Sequence, residues 1–313
     1  MKKAVSLFAA SLLFAACAFA VNSDVLISAK EALRLSKQPN VVFVSGDSPD
    51  VYANKHIDGS VEMQAHHLHH SDITGEMHCK PLYQCKEEAQ ELIRAKGISN
   101  NTLVIAYDDF RGPNATGVYH FFKMYGHDKV KILNGGLAAW EKAGGKVAKG
   151  PEKVAKRGTF TVKKVNTSIA ATKDEVLKAS NTITAITDKG GEKEKAPYII
   201  IDSRSIIEII GENKLDNVAR GGHVPGATFM EWKQVTDFDN RLSFPEDLRE
   251  VKRKLRMLGI TPDKTIYTYC HVGAGRSSYF WTLLHEVLGY KNVKVYTGSW
   301  DEWGNDMNLP IRK

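Results

Sequence analysis

The sequence predicts an α/β protein of two tandem domains, each a central parallel sheet with helices on both faces. Three observations carry that prediction. The two halves of the 313-residue chain repeat one another. Within each half, short β-branched runs alternate with helical segments. A stretch rich in Lys, Gly and Pro, "KVAKGPEKVAKRG", separates the halves and has the composition of a linker.

The repeat is visible block by block. "NVVFVSGDSPDVYANKHIDGSVEM", from Asn40, pairs with "YIIIDSRSIIEI" and then "GGHVPGATFMEW" in the second half. "AQELIRAKGISNNTLVIAYDD" pairs with "LREVKRKLRMLGITPDKTIYTYCH", and "HDKVKILNGGLAAWEKAG" with "YKNVKVYTGSWDEWGNDM". His223 follows His56 by 167 residues, Cys270 follows Asp108 by 162, and Trp303 follows Trp140 by 163. Blocks in one order at nearly constant separation mark a duplication.

In the first half the strand candidates are "VVFV", "TLVIAY" and "VKIL", separated by "EEAQELIRAK" and "GVYHFFKMYG". In the second they are "YIIID", "TIYTY" and "VKVY", around "PEDLREVKRKLRML" and "SSYFWTLLHEVLG". Short, wholly apolar strands between helices imply a parallel sheet covered on both faces. The expected divisions are residues 1–20 as a leader, 21–150 as the first domain, 151–165 as the linker and 166–313 as the second domain. "GTFTVKKV" alternates as a strand does and is expected to clasp the two domains.

The first twenty residues, "MKKAVSLFAASLLFAACAFA", combine Lys2 and Lys3 with a short apolar run and the small-x-small Ala18-Phe19-Ala20. That is the pattern of a cleaved signal peptide, so the mature chain is expected in the periplasm. A second reading makes Cys17 a lipid-anchor cysteine, although Phe14 fits that pattern poorly. The apolar run is too short to span a membrane, and stable membrane insertion is not expected. Formal net charge is +7, or +5 once Lys2 and Lys3 are removed. No basic run carries interleaved aromatics, which argues against a nucleic-acid partner.

Export leaves Cys79, Cys85 and Cys270. In an oxidising compartment an odd cysteine is a candidate reactive thiol. Cys79 and Cys85 lie close together in "HCKPLYQCKEE" and are expected to pair, which leaves Cys270.

Cys270 opens "CHVGAGRSS", directly after an apolar strand run and before a helical one. That order puts the thiol at the C-terminal edge of a parallel sheet, where open α/β sheets bind ligands. The helix is expected to begin near Ser277 as its N-cap. Gly273 and Gly275 free the backbone N–H groups of His271, Val272, Gly273, Ala274 and Gly275 to form an anion-binding nest. With the helix N-terminus and Arg276, such a setting ionises a thiol well below the free value of about 8.5. The expectation is a nucleophilic thiolate facing a small anionic substrate, with Arg276 on its oxygens. His271 either helps to keep the thiol ionised or faces solvent. Arg220 either reaches the site or makes a surface ion pair. Asp202 and Arg204 are expected to brace the loop, and Trp300 and Trp303 to wall the cleft or fill the core.

Together the repeat, "GGHVPGA", "DSR" at Asp202–Arg204, "NGGLAAW" and "GSWDEWGNDMNLP" resemble the tandem-domain rhodaneses, the thiosulfate or mercaptopyruvate sulfurtransferases. The resemblance covers essentially the whole mature chain. It implies two rhodanese-like domains, a non-catalytic first one and a second that carries a sulfane sulfur as a cysteine persulfide. Cys270 matches the catalytic position and Asp108 the equivalent place in the first half, where no persulfide can form. The implied partners are a small anionic sulfur donor and a thiol or cyanide acceptor, with no cofactor. One departure stands out: five residues separate Cys270 from Arg276, where these sulfurtransferases usually have four. That spacing looks like the phosphatases and arsenate reductases of the same fold, which leaves oxyanion hydrolysis or reduction as the alternative. A phosphatase also needs a general acid, and no Asp for that role is identifiable.

A second cluster, "QAHHLHHSDITGEMHCKPLYQC", holds His66, His67, His69, His70 and His78 with Cys79 and Cys85. These are plausible soft-metal ligands, but their spacing matches no recognised site. A polar loop closed by a short disulfide is the expectation, and no metal is assigned. A non-catalytic exported metal-binding protein remains the third reading.

Overall fold

A computed structural model describes residues 24–68 and 84–313. The leader, Cys17, His69, His70, His78 and Cys79 lie outside the described residues. Strands of the first half are β1 (Leu26–Ile27), β2 (Val41–Ser45), β3 (His56–Ile57), β4 (Val61–Glu62), β5 (Leu103–Tyr107), β6 (Val130–Leu133) and β7 (Val147–Ala148). Its helices are α1 (Ala29–Leu35), α2 (Pro49–Asn54), α3 (Lys86–Ala95), α4 (Pro113–Met124) and α5 (Gly136–Lys142). The second half adds β8 (Ala170–Ala171), β9 (Tyr198–Asp202), β10 (Thr228–Phe229), β11 (Thr265–Tyr269) and β12 (Val293–Tyr296). Its helices are α6 (Lys173–Thr187), α7 (Ile206–Ile209), α8 (Arg249–Met257), α9 (Arg276–Trp281) and α10 (Ser299–Trp303).

Read from the strand that opens each half, the parallel sheets run β1-β6-β5-β2-β4 and β8-β12-β11-β9-β10. The topology is the same twice, as the repeat requires, and β3 and β7 form a separate antiparallel pair. The chain moves outward in one direction from β2 to β4 and in the other from β5 to β6. The equivalent reversal falls between β9 and β11. A crevice forms beyond the strand ends at such a switch point. Register puts Asp202 abreast of Tyr269 there, and the next residue is Cys270.

One apolar core runs through both halves, from Val44, Val104 and Phe122 to Phe280, Leu284 and Val295. Its seam is α4 against α9, the helices that follow the two equivalent strands. Almost every residue of α4 is buried, so it packs on its own sheet and on its counterpart at once. Across the seam Tyr119 donates a 2.6 Å hydrogen bond to Glu286.

The expected strand in "GTFTVKKV" does not join a sheet. Phe160 and Val162 are buried as the alternation required, but their segment is held to the first domain by other means. Arg94 Nε donates to the Phe160 carbonyl, and the amides of Thr161 and Val162 donate to Asn100 and Gln90 side chains. Its partners are side chains, so it reads as a strand without pairing as one.

Candidate active site

The Cys270 loop is built from below. Gly273 takes φ +77°, and a Cβ there would lie 2.0 Å from the Thr297 carbonyl oxygen, so only glycine lets the loop sit on that strand end. Ser299 adopts the left-handed φ of +49°. This places its Oγ 3.2 Å from the Cys270 amide, which donates to it, while the hydroxyl donates to the Tyr296 carbonyl. The Cys270 carbonyl accepts from Trp300 N and that of His271 from Asp301 N. Cys270 is buried, and its Sγ lies 3.4 Å from Ser277 Oγ. It is the free cysteine among the described residues, whereas Cys85 is disulfide-bonded.

The helix starts two residues earlier than a Ser277 cap implies, at Arg276, with Gly275 as its cap. Ser278, not Ser277, supplies the local polar contact: the Gly275 amide donates to its Oγ at 2.8 Å. That amide is therefore engaged by its own helix start and is not free to join an anion-binding nest. Ser277 is left to face the sulfur.

Arg276 does not stand alone in the crevice. Its two terminal nitrogens donate to both oxygens of Glu208, at 2.7 and 2.9 Å. Glu208 also closes the capping box of α7 with Ser205. His271 Nδ1 stands 3.9 Å from the same carboxylate, and His271 Nε2 is buried with no partner among the described residues. Burial raises the Glu208 pKa, but His271, Arg276 and Ser205 outweigh it and hold the carboxyl well below the usual range.

Asp202 and Arg204 brace the floor. Arg204 is fully buried, donates to both Asp202 oxygens at 2.9 and 2.7 Å and to the Gly222 carbonyl at 2.7 Å. Its guanidinium lies 4.6 Å from the Trp300 ring centroid, and the Tyr269 hydroxyl donates to Asp202. Arg220, by contrast, is not turned to the thiol. Its guanidinium binds the carbonyls of Trp303, Gly304, Asp306 and Leu309, tying down the C-terminal segment. Trp300 and Trp303 are wholly buried with their indole N–H groups on the Arg220 and Pro310 carbonyls. They fill the core and do not wall a cleft.

The first domain supplies the roof. Gly117 of α4 comes so close that a Cβ there would lie 3.1 Å from Gly275 N. His66 brings Nε2 within 3.6 Å of where a Gly275 Cβ would stand. The residue is exposed to solvent, yet the surrounding protein and the Arg276 charge lower its pKa. Of the described histidines of the cluster, His66 and His67, it is His66 that is seen to meet the Cys270 loop.

In the first domain the equivalent loop is filled by its own side chain. The Asp108 carboxylate accepts from the amides of Gly112, Asn114 and Ala115 at 2.9–3.2 Å. Burial and the neighbouring Asp47 and Asp109 carboxylates raise its pKa, against the pull of those amides. A nest that would hold an external anion is filled by the Asp108 carboxyl group instead.

Fold and site together define a tandem α/β protein whose second half presents one buried thiol at a sheet switch point. The chain belongs to the rhodanese family: the rhodanese-like domain matches it twice, over residues 28–143 and 187–306. It is similar, at 32% identity over 298 residues, to a Mycolicibacterium smegmatis protein provisionally named a thiosulfate sulfurtransferase, over 92% of this chain and 98% of that one. The sulfur carrier protein TtuD of Thermus thermophilus is 35% identical over 234 residues, which span 73% of this chain and 77% of that protein. Among solved structures, the anaerobic ergothioneine biosynthesis enzyme of Chlorobium limicola with trimethyl histidine gives a TM-score of 0.71 at 21% identity. The match covers 93% of this chain and 70% of that one. That likeness is one of fold. Family and relatives mark this chain as a sulfurtransferase.

Proposed function

We propose that the protein moves a sulfane sulfur from a small donor to a thiophilic acceptor through a persulfide on Cys270. The observation that carries this is the buried free thiol at the β9/β11 switch point, beside Ser277 and beneath the first domain. The thiolate attacks the outer sulfur of the donor, the S–S bond breaks, and its electron pair leaves with the remainder of the donor. Cyanide or a thiolate then takes the outer sulfur and returns the Cys270 thiolate. Neither step needs a general acid for an alkoxide, which suits a site where none is identifiable. The phosphatase-like reading draws no support from Arg276, whose charge is matched by Glu208.

The first domain, with Asp108 at the cysteine position, contributes structure and no nucleophile. The periplasm is the proposed compartment, and the disulfide at Cys85 is consistent with an oxidising one. Intact mass spectrometry tests the whole reading. After incubation with thiosulfate or an organic persulfide, Cys270 gains one sulfur atom, cyanide removes it, and Cys270→Ser gains none. Release of phosphate from an aryl phosphate without any sulfur gain would overturn it.

A further inference from the structure

The crevice is less cationic than its sequence suggests. Three arginines are candidates to hold a donor oxyanion, and each is engaged: Arg204 by Asp202, Arg220 by four backbone carbonyls, Arg276 by Glu208. Between Cys270 and Arg276 the loop brings no formal charge except what His271 carries. A proton on His271 would face the same Glu208 carboxylate. The roof adds His66, whose lowered pKa keeps it neutral near pH 7. Glu208 and Arg276 are both mostly withdrawn from solvent, 12% and 24% exposed, so their charges are weakly screened by salt.

We propose that Glu208 sets donor specificity by neutralising Arg276, so that the site draws its sulfur from an organic persulfide carrying at most one charge, not from a dianionic oxyanion such as thiosulfate. This rests on the persulfide reading above. With thiosulfate, the attacking thiolate and the departing sulfite place three negative charges beside Glu208, with one guanidinium to answer them. Charges this close in a partly desolvated crevice interact strongly. With a persulfide in its RS–SH form, the reaction carries one negative charge throughout. Cys270 Sγ bonds to the outer sulfur, the S–S bond breaks, RS leaves as a thiolate, and the proton stays on the transferred sulfur. Val272 and Ala274 make the loop apolar beside the thiol, and His271 Nε2 is a buried polar atom left without a protein partner there.

The test compares loading of Cys270 by thiosulfate and by 2-hydroxyethyl persulfide, followed by intact mass, in wild type and Glu208→Gln. Gln keeps the capping-box geometry but frees the Arg276 charge. Because the donors differ in intrinsic reactivity, the readout is the thiosulfate-to-persulfide rate ratio, expected to rise about tenfold in the variant, the equivalent of about 1.4 kcal/mol. An unchanged or lower ratio overturns the inference while leaving the persulfide reading intact. No loading of wild type by either donor overturns both. Should Glu208→Gln not fold, wild type alone decides. Iodoacetate, relative to iodoacetamide, should alkylate Cys270 no faster than it alkylates a free cysteine. A clear preference for iodoacetate would reveal an unmatched cation and sink the proposal.

Discussion

Asp108 and Cys270 stand at equivalent ends of equivalent strands, and the helices that follow them pack on each other. One loop wraps its own carboxylate and the other presents a thiol. That difference makes the first domain a separable control for the second. Cys270→Ser should abolish sulfur loading, whereas Asp108→Ala should leave it close to wild type. The cost of Asp108→Ala lies in stability. It strands the amides of Gly112, Asn114 and Ala115, roughly 1–3 kcal/mol for each one left without a partner, and added chloride or sulfate should recover part of the loss by refilling the nest. Thermal melts with and without the anions check this, and equal loading defects in both variants would contradict it.

Asp47 gives the fold a pH signature. Burial raises its pKa to about 6, with the Asp109 charge adding to that and the Asn114 hydrogen bond opposing it. The native state thus keeps a proton that the unfolded chain, with a pKa near 3.9, has released. Native protein then binds more protons than unfolded protein across that interval, so stability falls as pH rises from about 4 to 6. The expected loss is roughly 2–3 kcal/mol. Asp47→Asn should reduce this slope, leaving the part that the buried Asp108 contributes, and raise stability near pH 7.5, measured by denaturant midpoints across pH.

Ser299 trades backbone strain for one hydrogen bond under the catalytic candidate. Ser299→Ala keeps the unfavourable φ and loses the acceptor for the Cys270 amide, at about 1 kcal/mol. Ser299→Gly loses the same acceptor but relieves the strain. The expected order of stability is wild type near Gly, both above Ala. Sulfur loading should slow in both variants, because both release the loop.

Two loop glycines should respond very differently to alanine. At Gly273 the new Cβ would meet a backbone oxygen at 2.0 Å, whereas at Gly275 its nearest neighbours are 3.6 Å away. Gly273→Ala is expected to displace the loop and eliminate loading. Gly275→Ala meets no such clash and pays for backbone at φ +101°, ψ −104°, roughly 1–3 kcal/mol, and should retain measurable loading. Equal loss in both would mean that the Thr297 contact does not set the position of the loop.

Duplication, the alternation of strands with helices and the place of Cys270 at the C-terminal end of β11 were legible in the chain because apolar period and β-branched runs record burial directly, whereas the order of the strands was not. Cys270 was legible because a thiol before a glycine-rich turn has few other uses. Glu208 was not. Its local signal, Ser205-x-x-Glu208, announces a helix start, and nothing in that signal tells that the same carboxylate reaches Arg276. Arg220 misled for the opposite reason: it adjoins "GGHVPGA", yet its guanidinium turns to carbonyls at the far C-terminal segment. His66 was visible only as one of a crowd of histidines, since its place over Gly275 depends on how the halves meet. Ser277 and Ser278 differ by one residue, and a propensity for capping cannot choose between them.

The seam between the halves has a consequence for the history of the chain. His66 of the first copy lies over the loop of the second, and Ser243 of the second closes on Gly112 of the first. Each copy is thus the other's lid. Trimming it away would bare the apolar flank of α9 and unroof Cys270 together. If Cys270 is the sulfur carrier proposed above, two parts that began interchangeable now depend on each other for cover, and neither can be removed without exposing the other.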